Sequence, residues 1–161
     1  EILSIDKQRH KKWTFFLLDI DNFKRCNTVY GLGGGDRALQ ALTSILKVTM
    51  NNEIESLIGR WGGEEFVIAI PGEMNNLEAR IQATREGYQH AIQTIFTNSD
   101  DVFKGTFSMG RYDHDFSISD IPILDVVNRA DDALCIAKTT GKNNMVIWNN
   151  QTPIRARKGR L

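Results

Sequence analysis

An α/β sandwich, with helices packed on a mixed sheet, is the fold class this 161-residue sequence predicts. Three observations carry the prediction. Apolar runs of strand length alternate with stretches of helical periodicity. Two of those runs meet at Gly62-Gly63, which reads as a tight hairpin turn. The composition, 41% hydrophobic and 25% charged, is that of one soluble globular core at this length.

Taken in order, "EILSIDKQRHKK" reads as a short, charged, helical lead-in. "WTFFLLDI" is a buried strand, continuous and apolar, that ends on an acid. "DNFKRCNTVYG" predicts a short helix closed by Gly31, and "GGGDRALQALTSILKVTM" a second one, with Leu39, Leu42, Leu46 and Met50 at helical spacing. "SLIGRW" and "FVIAI" are the hairpin strands, with Trp61 and Phe66 expected to anchor the turn in the core. "NNLEARIQATREGYQHAIQTIF" predicts a long amphipathic helix capped by Asn75 or Asn76. "FKGTFSMGRY" is another strand. "SDIPILDVVNRADDALCIAKTTG" is a helix with Val127, Ala130, Leu134 and Ala137 along one stripe, and "NMVIW" closes the set as a strand. A β-α-β-β-α-β core, the ferredoxin-like arrangement, can be drawn from this order.

Twenty basic and twenty acidic residues cancel, so no global field recruits nucleic acid or an anionic membrane. Residues 1–150 read as one domain and residues 151–161 as a basic tail, "RARKGRL" carrying four basic residues in the last seven; a disordered, solubilising role is expected for it. Cys26 and Cys135 fit no zinc spacing and read as two free thiols of a reducing compartment, with a disulfide between them as the open alternative. With no apolar run long enough for a membrane span and no signal peptide, the expected location is the cytoplasm. His10, His90 and His114 stand apart without ligand spacing and are assigned surface or packing roles.

The chemistry lies in the acids. The first strand ends in Asp19-Ile20-Asp21 and the hairpin carries Glu64-Glu65. If strand and hairpin are sheet neighbours, these carboxylates share one edge, an expensive arrangement unless a cation neutralises them. Hard divalent ions take oxygen ligands, and a pair of them is the usual device for displacement at phosphorus. Asp21, taken alone, is expected as the cap of the following helix.

Gly62-Gly63-Glu64-Glu65-Phe66 is a GGEEF form of the motif that names the GGDEF domains, the diguanylate cyclases, and the chain resembles that family from about Ile2 to Trp148. "LLDIDNFKRCNTVYG" is similar to the family's LDIDxFKxxNDxxG segment, "GGGDRAL" to its GDxxL, and "RADDALCIAKTTGKN" to its ADxALYxAKxxGRN. The resemblance implies a ferredoxin-like palm of the nucleotidyl-cyclase kind, with a mainly antiparallel mixed sheet, and the joining of two GTP molecules into cyclic di-GMP with release of pyrophosphate. It implies two Mg²⁺ (or Mn²⁺) per active site, held by Asp19, the Ile20 carbonyl, Glu64 and Glu65, with Glu64 also the general base and Lys24 the charge stabiliser on the phosphates. Asn27 and Asp36 fall on guanine-binding positions, and a carboxylate there can accept from the N1–H and N2–H₂ edge that adenine lacks. Gly62 and Gly63 would let the phosphates approach the backbone; Lys138 and Lys142 would add phosphate contacts. Each domain holding one GTP, the resemblance implies a catalytic homodimer.

The departures are specific. Leu32 stands where the family commonly has histidine, Lys142 where arginine is usual, Cys135 where tyrosine is common, and "SMGRY" replaces "SIGVA". Many members carry an inhibitory Arg-x-x-Asp five residues before the first glycine; here the window reads Glu53-Ile54-Glu55-Ser56, which predicts no product inhibition through that site. The family's entry segment, DxLTGLxNR, normally lies further upstream, so an output domain separated from an N-terminal regulatory partner is expected. The rival readings are a catalytically silent GGDEF module that binds GTP as a sensor or interaction domain, favoured by Leu32 and Lys142, and a cyclase using ATP, disfavoured by Asp36.

Overall fold

The structure is a computed structural model that describes residues 5–50, 56–97 and 103–154. Its elements are β1 (Lys12–Ile20), α1 (Phe23–Met50), β2 (Leu57–Gly62), β3 (Glu65–Pro71), α2 (Leu77–Ile95), β4 (Phe107–Asp115), α3 (Ile123–Thr139) and β5 (Met145–Ile147). The five strands form one sheet in the order β2-β3-β1-β4-β5. The first four make the ferredoxin-like order, all antiparallel, and β5 adds a short parallel edge to β4. The sandwich expected from the alternation of runs is thus present.

β1 is central because its side chains are apolar on both faces. Phe16, Leu18 and Ile20 point into a core shared with Leu39, Leu42 and Leu46 of α1 and Ile81, Tyr88 and Ile92 of α2. Trp13, Phe15 and Leu17 point the other way, against Val126, Val127, Ala130 and Leu134 of α3. The helical stripes read from sequence are therefore the buried ones, and the hairpin follows β2 and β3 as expected.

α1 is two helices in one element. Gly31 takes φ 70° and ψ 176°, a backbone state open essentially to glycine alone, and breaks the helix where the sequence placed its end. Beyond the break the chain turns back closely: a methyl on Gly35 would overlap Asn27 Oδ1 and press on the Phe23 ring, so the glycine run lets the two halves touch.

Four expectations need correction. The described part of the lead-in is not helical: Asp6 Oδ1 accepts the backbone N–H groups of Gln8 and Arg9 at 3.0 and 2.9 Å, an Asx-type turn that competes with a helix. Asn76 occupies the N-cap position of α2 in a left-handed conformation (φ 58°), and its side chain makes no capping hydrogen bond. β4 begins and ends later than the apolar run proposes, because pairing with β1 continues to Lys12↔Asp115. Trp61 is not in the core. The β2–β3 register slips between Arg60 and Gly62, so Trp61 is the extra residue of a bulge and stays 37% exposed, whereas Phe66 is buried as expected.

His114 is buried and packs as expected, its ring nitrogens meeting Tyr112 Oη at 3.1 Å and the Ser119 carbonyl at 2.7 Å. Both cysteines are free, Cys26 in the core. Among the described residues no helix is long and apolar enough to cross a membrane. Residues 53–55 of the Glu53–Ser56 window and residues 155–161 of the basic tail lie outside the described residues.

Candidate active site

Three strands and one helix converge at one end of the sheet. The β2–β3 turn is Gly63-Glu64, with Gly63 at φ 52° and its carbonyl accepting from Arg60 Nε at 2.7 Å. Antiparallel register sets Asp19 of β1 directly across from Glu65 of β3 and from Ser108 of β4. Residues opposite one another share a face, so Asp19 and Glu65 lie on the α3 side of the sheet. Glu64, one residue earlier, is tied to β1 through its carbonyl, which accepts the Ile20 N–H at 3.4 Å.

Asp19 is 5% exposed. Its cationic partner is Lys138 of α3, whose Nζ lies 2.5 Å from Oδ2. Burial dominates all the same and pushes the Asp19 carboxyl up to about 6; Lys138 opposes the rise, and Glu64 and Glu65 add to it. The carboxylates are thus near enough to feel one another, and Asp19 holds a charge its surroundings do not fully compensate.

Asp21 behaves otherwise, and the helix-cap expectation is corrected. Its carboxylate accepts from Ser108 Oγ at 2.7 Å, Thr106 Oγ1 at 2.9 Å and the Asn143 backbone N–H at 3.0 Å. Those donors come from β4 and the α3–β5 connection, so Asp21 joins distant segments instead of starting α1.

The remaining expected residues are arranged around this edge. Lys24 is exposed in the first turn of α1, directly after the acids. Asn27 is half-buried beside Gly35, and Asp36 is exposed one residue on, so the break in α1 draws together the two residues expected at guanine-binding positions. Asp36 borders an open cleft of about 370 Å³ between α1 and the hairpin, lined also by Gln40, Thr43, Ser44, Arg60 and Phe66. Leu32, just past the break, is 79% exposed. Lys142 donates from Nζ to Asn22 Oδ1 at 2.7 Å. A second hollow of about 390 Å³ lies at the opposite end of the sheet, where Arg111 is engaged by Asp113 at 3.0 Å and Glu78 at 3.6 Å; it gathers none of the expected site residues.

A divalent cation fits the acid edge by donor chemistry. Asp19, Glu64, Glu65 and the Ile20 carbonyl offer only oxygen, and the under-compensated charge on Asp19 would be relieved by a cation. Among the described residues, however, no three acidic, histidine or cysteine side chains converge on one point. Mg²⁺ needs only one or two carboxylates when substrate phosphates and water complete its shell.

Sequence reasoning missed Arg85 and Asn143, both engaged close to Asp21. Arg85 on an amphipathic helix reads as solvated surface, and its partners lie far along the chain.

Comparison with known proteins places this architecture. The family model described as "Diguanylate cyclase, GGDEF domain" matches residues 1–144. A diguanylate cyclase of Vibrio cholerae is 30% identical over 138 residues, covering 84% of this chain and 40% of that protein. Diguanylate cyclase A of Treponema denticola is 29% identical over 157 residues, 94% of this chain and 40% of that protein. Among solved structures, the diguanylate cyclase SiaD of Pseudomonas aeruginosa, in complex with its activator SiaC, has a TM-score of 0.70 at 28% identity, over 88% of this chain and 52% of that one. The GGDEF domain of DgcB from Caulobacter crescentus, in complex with c-di-GMP, shares the fold with a TM-score of 0.71 at 24% identity, over 84% of this chain and 77% of that one. This chain belongs to the GGDEF domain family. It spans less than half the length of these two curated relatives.

Proposed function

We propose that this domain is a diguanylate cyclase, condensing two GTP molecules into cyclic di-GMP with release of two pyrophosphates. The observation that carries the reading is Asp19: a buried carboxylate, pushed up to about 6, facing Glu64 and Glu65 beside a glycine turn. A fold does not keep such a group for stability alone, and membership of the family supplies the chemistry it suits.

In this reading Gly62 and Gly63 leave the turn bare for the triphosphate, and Lys24, Lys138 and Lys142 neutralise its oxygens. Asn27 and Asp36 receive the guanine edge, Asp36 accepting from N1–H and N2–H₂. Glu64 takes the proton of a 3′-hydroxyl as that oxygen bonds to the α-phosphorus of the GTP held by a second copy. The bond from that phosphorus to pyrophosphate breaks, and the symmetric event closes the ring. Mg²⁺ or Mn²⁺, two per site and held by Asp19, the Ile20 carbonyl, Glu64 and Glu65, would supply Lewis-acid stabilisation of the charge on the transferred phosphoryl group. Lys138 must leave Asp19 as the nucleotide enters, which moves its charge from carboxylate to phosphate.

The silent-module reading is favoured by one observation, the wide exposure of Leu32 where a polar nucleotide contact is usual. Incubating the full chain with GTP and Mg²⁺, and in parallel with ATP and Mg²⁺, and identifying the products by mass spectrometry decides between them. Cyclic di-GMP and pyrophosphate are expected; bound but unconverted GTP would replace the cyclase with the sensor, and conversion of ATP alone would overturn the guanine assignment.

A further inference from the structure

A half-buried charge outside the acid edge joins four elements and has no part in the reaction just proposed. Arg85 of α2 donates from Nη1 to the Phe107 carbonyl at 2.7 Å and to Asn143 Oδ1 at 2.9 Å, with its guanidinium 4.6 Å from the Phe107 ring centre. Its Nη2 is buried and has no hydrogen-bond partner among the described residues. Asn143 passes the connection on through its backbone N–H to Asp21, the carboxylate already holding Thr106 and Ser108. Arg85, Asn143 and Asp21 therefore clasp α2, the start of β4, the α3–β5 connection and the end of β1.

The clasp closes on an awkward piece of backbone. Gly141, Lys142 and Asn143 take φ of 117°, 61° and 47°, three positive values in succession, two of them at residues with side chains. Such a run persists only where surrounding contacts over-determine it. The Lys142 N–H is held by the Ala137 carbonyl at 3.1 Å, and Asn143 is held from both sides by the clasp. What the run delivers is Lys142, whose ammonium is brought to Asn22, immediately beyond the acids of β1.

We propose that Arg85 is a positioning residue for nucleotide binding: by gripping Asn143 it fixes the α3–β5 connection and so sets the Lys142 ammonium where it meets the phosphates of a nucleoside triphosphate. This rests on the cyclase reading for the identity of the ligand. Arg85 itself touches no substrate, so its influence falls on affinity and passes through Lys142. A lysine at position 85 keeps the charge but loses the planar guanidinium whose Nη1 serves both acceptors while its face lies over the Phe107 ring.

The test uses the full chain as wild type, Arg85→Lys, Arg85→Gln, Lys142→Ala and the double variant Arg85→Lys/Lys142→Ala. Hydrogen exchange at the Asn143 amide is read first, without turnover, and is expected to accelerate about tenfold in Arg85→Lys while the melting temperature stays within a few degrees. KM for GTP is expected to rise about tenfold with kcat within about twofold, and the double variant to be no worse than the poorer single one, since both act through one contact. Unchanged exchange, additive losses, or a fall in kcat at constant KM each overturn the proposal. Loss of the fold in both Arg85 variants would reduce Arg85 to a purely structural group. If wild type makes no cyclic di-GMP, the cyclase reading fails by itself, and the same cycle is read as GTP dissociation constants by calorimetry.

Discussion

Asp19 and Asp21 stand two residues apart at the end of β1, both nearly buried, at 5% and 3% exposure, and the protein treats them in opposite ways. Asp21 is met by two hydroxyls and a backbone N–H, so its acceptor sites are filled by the fold. Asp19 meets one ammonium and two further acids, and its carboxyl rises toward neutrality. A carboxylate supplied with hydrogen bonds organises structure; one deprived of them is held ready for something the fold does not contain. The contrast distinguishes scaffold from site within three residues.

The sharpest way to break the comparison is at the turn. Glu64→Gln removes the proposed base and is expected to lower cyclic di-GMP formation by about 10³-fold, the scale seen when a key stabilising group is deleted. Circular dichroism and melting temperature should remain near wild type; a variant that keeps more than a tenth of the activity would dismiss Glu64 from the chemistry.

Asp21→Asn attacks the scaffold side. It replaces one acceptor oxygen by a donor amide facing donors, and a cost of about 3 kcal/mol is expected, or a melting temperature roughly 10 °C lower by thermal denaturation. An unchanged melting temperature would mean the three hydrogen bonds contribute little.

Asp19→Asn should do the reverse, abolishing turnover while raising stability by roughly 1–2 kcal/mol at pH 7 in metal-free buffer. The sign follows from the direction of the shift. The folded carboxyl is raised from 3.8 to about 6, so the stability it contributes is complete below pH 3.8 and is lost as pH rises through 6. The advantage of the amide is therefore expected at pH 7 and gone at pH 4; denaturant titrations at both values check it.

The smallest effect supplies a control. Tyr88 is fully buried and its hydroxyl has no partner among the described residues, with ionisation suppressed by burial, yet no ligand is expected near it. Tyr88→Phe should change stability by less than about 1 kcal/mol, in the favourable direction. A large loss on denaturant unfolding would reveal an acceptor for that hydroxyl.

Most of the fold was legible because its signals are local. Six apolar residues of β1 between Trp13 and Ile20 fill the core on both faces, the leucines of α1 keep one stripe, and Gly31 marks the break in the element that contains it. Asp19, Glu64 and Glu65 could be joined on paper because strand order brings a first strand beside a hairpin. What escaped depends on remote partners. The bonds to Asp21 come from residues 106, 108 and 143, so its own neighbourhood showed only a helix cap. Trp61 looked like core because a bulge leaves no mark in an apolar run, and Arg85 looked like surface because its acceptors lie on β4 and beyond α3.

The bond between Lys138 and Asp19 joins the first strand to the last helix. During synthesis the acid emerges almost a whole domain before its counter-ion does. A chain shortened before α3, by nicking or interrupted translation, keeps the acids of β1 and the hairpin and forfeits the cation that tempers them. Completion of the domain is thus coupled to the charge balance of the acid edge, so that a fragment carrying the signature motif still lacks its counter-ion.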